Sequence, residues 1–244
     1  VYQKIGNVGF GMKTTKKLGK EMGKLRAHES VPFGILLAVV GGYLDAYTYI
    51  GRDGVFANAQ TGNIVLLGIY ASQRAWEKAL TYLPPILAFV LGVFAVEMIK
   101  RFAPRLFQTE WTQVVLVLEV VILSLLGFIP ARFPDIAVNV IISFVASVQV
   151  CSFSKLVDDS YATTMMTGNL RALSQSAYKA LVERDRKAAV RTVRYMTIIV
   201  FFLLGAVIGG LLTISFPAKA IWGCAAILLC CAIWISLECR NINK

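Results

Sequence analysis

Thr61-Gly62-Asn63 recurs as Thr167-Gly168-Asn169, 106 residues later. Thr and Asn favour helix starts, where their side-chain oxygens accept from orphan backbone N–H groups. Gly permits close backbone approach. A short helix that begins inside a membrane aims its free N–H groups and positive dipole end at whatever occupies that place. Two such starts are expected to bind a solute or line a pore. The alternative is that both tripeptides are caps that let short helices pack tightly.

Two carboxylates extend this set. Asp45 lies in Gly41-Gly42-Tyr43-Leu44-Asp45-Ala46, and Glu119 is flanked on both sides by aliphatic residues. A carboxylate in hydrocarbon is expensive and marks ion or proton sites. The other reading of each is a buried hydrogen bond to a helix start or a hydroxyl. Glu97 stands one turn from Lys100 and Arg101 and reads as their structural partner. Asn139 and Gln149 read as polar contacts between helices. The expected substrate-binding residues are therefore Thr61, Gly62, Asn63, Thr167, Gly168, Asn169, Asp45 and Glu119.

Enzyme chemistry has few residues to work with. The single histidine is His28, in a basic segment, so no histidine-based triad or metal cluster can form among the apolar blocks. There is no phosphate-cradling glycine loop. Cys151, Cys224, Cys230, Cys231 and Cys239 are odd in number and lack metal-ligand spacing. They read as small apolar packers, with redox activity at the vicinal Cys230–Cys231 pair as the alternative. The expectation is no enzyme, no cofactor and no metal.

The elements that must position these residues are membrane helices. Of 244 residues, 57% are hydrophobic and 16% charged, against about a quarter charged in an ordinary soluble chain. The apolar residues form blocks over Val31–Ile50, Leu80–Ile99, Val114–Ile129, Ile136–Phe153, Met196–Phe216 and Ala220–Leu237. Such blocks are long enough to cross ~30 Å of hydrocarbon. Residues 1–30 read as a basic cytoplasmic tail, either an interfacial amphipathic helix or disordered chain. No cleavable signal pattern is read, so the first block is expected to be a retained span. Residues 31–240 read as one membrane domain. The net charge of +11 fits cytoplasmic loops rich in Lys and Arg better than nucleic-acid binding.

The two tripeptides fall in the same order of blocks, and Phe89-Val90-Leu91-Gly92 is echoed by Phe202-Leu203-Leu204-Gly205. This indicates a duplicated unit, with repeat 1 over about 31–130 and repeat 2 over about 136–240. Neither tripeptide segment makes a convincing span, so the all-α expectation is six transmembrane helices in two inverted three-helix repeats. Each repeat carries a short Thr-Gly-Asn half-helix. Six spans leave only Arg52, Arg74, Lys78, Arg132 and Lys219 of the 25 basic residues outside. The alternative is eight crossings in two parallel repeats.

At these residues the chain resembles the YoaK family of bacterial multi-span membrane proteins of uncharacterised function. The resemblance rests on Gly42-Tyr43-Leu44-Asp45-Ala46, Phe56-Ala57-Asn58-Ala59-Gln60-Thr61-Gly62-Asn63, Gly92 and the second Thr167-Gly168-Asn169. It implies a bacterial cytoplasmic membrane location and supplies no substrate. The partners expected are the lipid bilayer and a small-molecule or ion substrate, without nucleic acid; a homo-oligomer is compatible with the glycine faces. The expected function is a transporter of a small polar or charged solute, with a midplane site between inverted repeats. A passive channel of similar plan, or a membrane scaffold or sensor, is the alternative.

Overall fold

The computed structural model describes residues 30–102, 111–130, 132–153, 155–156, 159–160 and 165–242. The basic tail expected over 1–30 lies outside these apart from Ser30. Arg105, Lys244 and the side chains of Lys155, Cys239 and Arg240 lie outside them as well.

Nine helices are described: α1 Val31–Gly51, α2 Gln60–Ser72, α3 Trp76–Leu80, α4 Leu83–Phe102, α5 Trp111–Leu126, α6 Asp135–Ser152, α7 Met166–Val182, α8 Arg186–Ser215 and α9 Ile221–Ile242. Between α6 and α7, β1 Lys155–Leu156 and β2 Asp159–Ser160 form one short antiparallel pair. Local chemistry explains several boundaries. Ser30 Oγ accepts the Phe33 N–H at 3.4 Å and Pro32 occupies the first turn of α1, where a missing donor is harmless. Pro84 and Pro85 open α4 in the same way. Both tripeptide helices end in an arginine with positive φ, Arg74 at 59° and Arg184 at 55°.

Four segments are long and apolar enough to cross a membrane: α1, Trp76–Phe102 (α3 and α4 with their turn), α6 and α8. The apolar helices Trp111–Leu126 and Ile221–Leu237 are shorter. α8 begins ten residues before the apolar block starting at Met196. Asp185 caps it through the Lys187 N–H at 2.8 Å, and its first turns pack against α7, where Thr192 donates to Ser176 at 3.1 Å. Charged residues carry this extension, so hydropathy does not reveal it.

The directions of the helices follow from their contacts. α1 and α8 run in parallel: Gly205 lies against Val39, Gly209 against Tyr43 and Gly51 against Thr213. α4 and α6 are also parallel, with Gly92 against Phe144 and Ser147 and with Glu97 and Lys100 in electrostatic reach of Cys151. α9 is antiparallel to α1, pairing Tyr43 with Ala220 and Phe33 with Trp234. α9 is antiparallel to α5 too, since Trp222 seats on Gly127 while Glu119 reaches Cys224 and Cys231. α5 and α6 meet at their far ends through Trp111 and Ser152. Thus α1, α5 and α8 point one way and α4, α6 and α9 the other.

The glycines at α1–α8 and α4–α6 explain how closely these pairs approach. A Cβ on Gly205 would fall on the Val39 backbone, and one on Gly42 on the Phe202 carbonyl. Small-residue faces of this kind drive helix packing where lipid removes the hydrophobic incentive. Polarity is distributed accordingly. Leu87, Leu91 and Phe94 on α4, Val117, Val121 and Leu125 on α5, and Leu203, Val207 and Leu211 on α8 are exposed, whereas Asp45, Glu119, Asn139 and Gln149 are buried. Apolar side chains on the outside, with these polar side chains turned inward among the apolar core, suit a bilayer.

Candidate functional site

α1 ends at Gly51, and the chain turns through Asp53 and Gly54, both with positive φ. It then runs back along α1. The Ala57 N–H donates to Thr48 Oγ1 at 3.1 Å, and the Asn58 N–H to Asp45 Oδ1 at 2.7 Å. Asn58 Nδ2 donates to the Gly41 carbonyl at 3.1 Å. Gly41 is the middle residue of the 21-residue α1, so the segment descends half the length of that helix before α2 begins. α2 then returns to the Gly51 end, where Lys78 just beyond it pairs with Asp53 and donates to its carbonyl at 3.0 Å.

Asn63 fixes this hairpin from the other side. Its Oδ1 accepts the Phe56 N–H at 2.9 Å, and its Nδ2 donates to the Phe56 carbonyl at 2.7 Å and to Gln60 Oε1 at 2.9 Å. The expected capping role of the tripeptide needs correction. The residue before α2 is Ala59, without a side-chain cap, and Asn63 sits inside the first turns and reaches back to the descending segment. Only the Asn of the first tripeptide is buried; Thr61 is exposed and Gly62 lies against the Phe56 ring.

The second tripeptide has the same pattern of burial. Asn169 is buried, while Thr167 and Gly168 are exposed. Met166, at the start of α7, packs against the Ala38–Ile198 cluster, and α7 then runs to the Val31 end, where α8 starts. α2 packs on α3 and α4, and α7 on α8. Among the described residues the two tripeptide helices are not packed on one another.

Asp45 and Glu119 occupy separate networks. Glu119 Oε2 accepts Gln149 Nε2 at 3.1 Å across the α5–α6 joint. A further network at the Gly51 end centres on Arg52, which donates to Asp135 Oδ1 at 2.9 Å and to the Tyr47 hydroxyl at 3.0 and 3.2 Å. Burial works against its charge, but Asp135 and Tyr47 more than offset this and raise the Arg52 pKa above its ordinary value. Asn139 Nδ2 donates to the Arg52 carbonyl at 2.8 Å.

Several of these polar residues are incompletely satisfied. Asn58 Oδ1, Asn139 Oδ1, Ser143 Oγ, Gln149 Oε1 and Glu119 Oε1 are buried without a hydrogen-bond partner. Such atoms are rare in native interiors and point to water, an ion or a ligand. Three of the five belong to α6, whose residues from Asn139 to Gln149 descend about 15 Å at 1.5 Å per residue. Four of the five are amide or carboxylate oxygens that only accept, and the Ser143 hydroxyl accepts or donates, so what satisfies most of them must bring hydrogen-bond donors or positive charge. Asn58, Tyr47, Arg52, Asp135 and Ser143 were not singled out from sequence as site residues. The sequence marks Arg52 only as one of the few outer basic residues.

Among the described residues, no group of three or more His, Cys, Asp or Glu side chains is placed to hold a metal. An open cleft at the Gly51 end, lined by Asp53, Arg74, Trp76, Glu77, Lys78 and Thr81, contains none of the five orphan oxygens.

Residues 33–234 match the family model described as "Protein of unknown function (DUF1275)". Over 193 residues the chain is 28% identical to the UPF0700 transmembrane protein YoaK of Bacillus subtilis (strain 168), spanning 77% of this chain and 85% of that protein. No solved structure matches. With its apolar helices and inward-turned polar side chains, the chain is a multi-pass membrane protein and belongs to the DUF1275 family, to which the YoaK resemblance points.

Proposed function

We propose that this protein moves a small polar solute, bearing hydrogen-bond donors or positive charge, across the bacterial cytoplasmic membrane. The path follows the buried face of α6, between the two halves of the chain. The observation that carries this reading is the set of five buried oxygens without partners. In a membrane interior, polar groups of this kind mark substrate and ion pathways.

The proposed frame is six crossings in two inverted repeats, with both termini cytoplasmic. Exchanging α1 with α6, α4 with α8 and α5 with α9 leaves the main packed pairs unchanged. The α1–α8 pair becomes α6–α4, and α1–α9 becomes α6–α5. Each exchange also reverses the helix direction, as an inverted repeat requires. α2 climbs to the Gly51 end and α7 to the Val31 end, each closing with an arginine of positive φ. α5 covers about 24 Å at 1.5 Å per residue, and the turn at Gly127–Ile129 lengthens it further. The excess of basic residues beyond the Val31 end supports a cytoplasmic location for that end.

In this reading Asp45 and Asn63 are positioning residues that hold α2 at half depth. Thr61, Gly62, Thr167, Gly168 and Asn169 shape the two half-helix starts, and Glu119 lies on the path itself. The activity is transport without catalysis, and no cofactor takes part.

A thermal-shift screen of the purified protein in detergent tests this. Amines, inorganic cations, amino acids, sugars and anions are compared in the wild type, Ser143→Ala and Asn139→Ala. The reading predicts that a cationic or donor-rich compound raises the midpoint by mass action and that the shift shrinks in both variants. Stabilisation by anions alone, or by nothing in the screen, would count against it.

A further inference from the structure

The joint between the two halves carries one unusual pair. Gln149 Nε2 donates to Glu119 Oε2 at 3.1 Å, and the remaining oxygen of each side chain, Glu119 Oε1 and Gln149 Oε1, is buried without a partner. Glu119 is 1% exposed and Gln149 0%. The two side chains therefore share a single hydrogen bond, and each keeps one acceptor without a donor.

We infer that Glu119 and Gln149 form the binding site of the coupling proton, which closes an acid–amide pair across the α5–α6 joint. A protonated carboxyl offers one O–H donor and one carbonyl acceptor, and a primary amide offers the complementary N–H and C=O. With a proton on Glu119 Oε1, the O–H donates to Gln149 Oε1 while the existing bond persists, and both orphan atoms are satisfied. The step is a proton transfer alone. Hydronium gives its proton to the carboxylate and becomes water, and release reverses this without making or breaking any other covalent bond.

The surroundings favour the neutral pair. An ionised carboxylate buried without a cationic partner is strongly disfavoured. Among the described groups, no Lys or Arg is in electrostatic contact with Glu119. The titratable side chains that face it are Cys224 and Cys231 of α9; the group it meets on α6 is the non-titrating Gln149. α5 closes the first half of the chain and α6 opens the second. The proton therefore decides whether the two halves are tied by two hydrogen bonds at this point or by one. The inference rests on the transport reading only for the word coupling; the proton site stands on the geometry of the pair.

Infrared spectroscopy of the full-length protein in detergent, across pH, tests it directly with Glu119→Gln and Gln149→Ala. The wild type is expected to show a protonated-carboxyl C=O stretch that fades as pH rises, is missing in Glu119→Gln and moves to higher frequency in Gln149→Ala. Thiol S–H stretches of Cys224 and Cys231 form a separate band. Because an amide closes the same pair without a titrating proton, Glu119→Gln should keep a thermal midpoint at least as high as the wild type at low pH. It should also lose the wild type's decline with rising pH.

Three results would overturn the inference. One is a spectrum with no carboxyl band that Glu119→Gln removes. Another is a band that persists unchanged to the highest pH at which the protein stays folded. The third is Na⁺ raising the midpoint of the wild type and not of Glu119→Gln at fixed pH, which would assign the site to a metal cation. Failure of the transport reading alone leaves the carboxyl band in place, and loss of the band leaves solute stabilisation through Ser143 untouched.

Discussion

Asp45 accepts the backbone N–H of Asn58 at 2.7 Å, a buried bond that ties α1 to the segment leading into α2. Ala59 adds a longer contact to the same oxygen at 3.4 Å. The carboxylate thus stands in for the strand that the descending backbone would otherwise need as a partner. Asp45→Ala should lower stability by roughly 1.5–3 kcal/mol, the range for hydrogen bonds to charged groups. Asp45→Asn keeps an acceptor oxygen and should lose distinctly less. Thermal unfolding of the two purified variants in detergent measures the difference.

Asn63 both accepts and donates, and the distinction is testable. Asn63→Asp keeps the acceptor for the Phe56 N–H but loses the donors to the Phe56 carbonyl and Gln60. It should destabilise the protein by about 1–3 kcal/mol, as expected when buried acceptors lose their donors. If Asn63 served only to cap an N–H group, Asp would be tolerated as well as Asn. Proteolysis within the Phe56–Gln60 segment gives an independent readout, with faster cleavage expected in Asn63→Asp than in the wild type.

Arg52 joins α1 to α6 through Asp135 and Tyr47. Its side chain is 4% exposed and that of Asp135 is 40% exposed. Removing one partner of a fully buried pair costs about 3–5 kcal/mol. Solvent at Asp135 reduces this, so Arg52→Ala should cost about 1–3 kcal/mol. Denaturant or thermal titration should find Arg52→Lys intermediate, because a lysine cannot reach Asp135 and Tyr47 with one planar group.

The glycines provide a matched pair. A Cβ at Gly205 would fall on the Val39 backbone, while one at Gly68 meets nothing within 4 Å. Gly205→Ala should force α1 and α8 apart and cost about 1–3 kcal/mol, the usual penalty for overpacking. Gly68→Ala, on the exposed face of α2, should be neutral or stabilise by about 0.5–1 kcal/mol through helix propensity. Midpoints measured side by side should fall for Gly205→Ala and hold or rise for Gly68→Ala.

Helices at all six apolar blocks and at both tripeptides were legible in the sequence because hydropathy encodes them, and four of these segments are long and apolar enough to cross a membrane. Also legible were the Glu97–Lys100 pair, observed at 2.6 Å, and the glycine face of Gly205 and Gly209, which packs within the bundle against α1. What was not legible depends on contacts between distant residues. Nothing local in Arg52 announces Asp135, and nothing local in Glu119 announces Gln149. Asn63 suggested a cap because Asn favours helix starts. Its actual partner, the Phe56 backbone, is visible only once the descending segment is in place. The orphan oxygens of Asn58, Asn139 and Ser143 are defined by what fails to surround them, which no spacing pattern carries.

The account turns on α2 entering from the Gly51 end and returning there without crossing. Cysteine accessibility in intact cells tests this most directly, with Asp53→Cys, Gln73→Cys and Arg101→Cys each introduced singly and the native cysteines as background. A membrane-impermeant maleimide should label positions 53 and 73 from outside, and position 101 only after permeabilisation. Labelling of 101 from outside, with 73 protected until the membrane is opened, would mean that α2 crosses fully, and it would contradict the six-span inverted plan on which the proposed path depends.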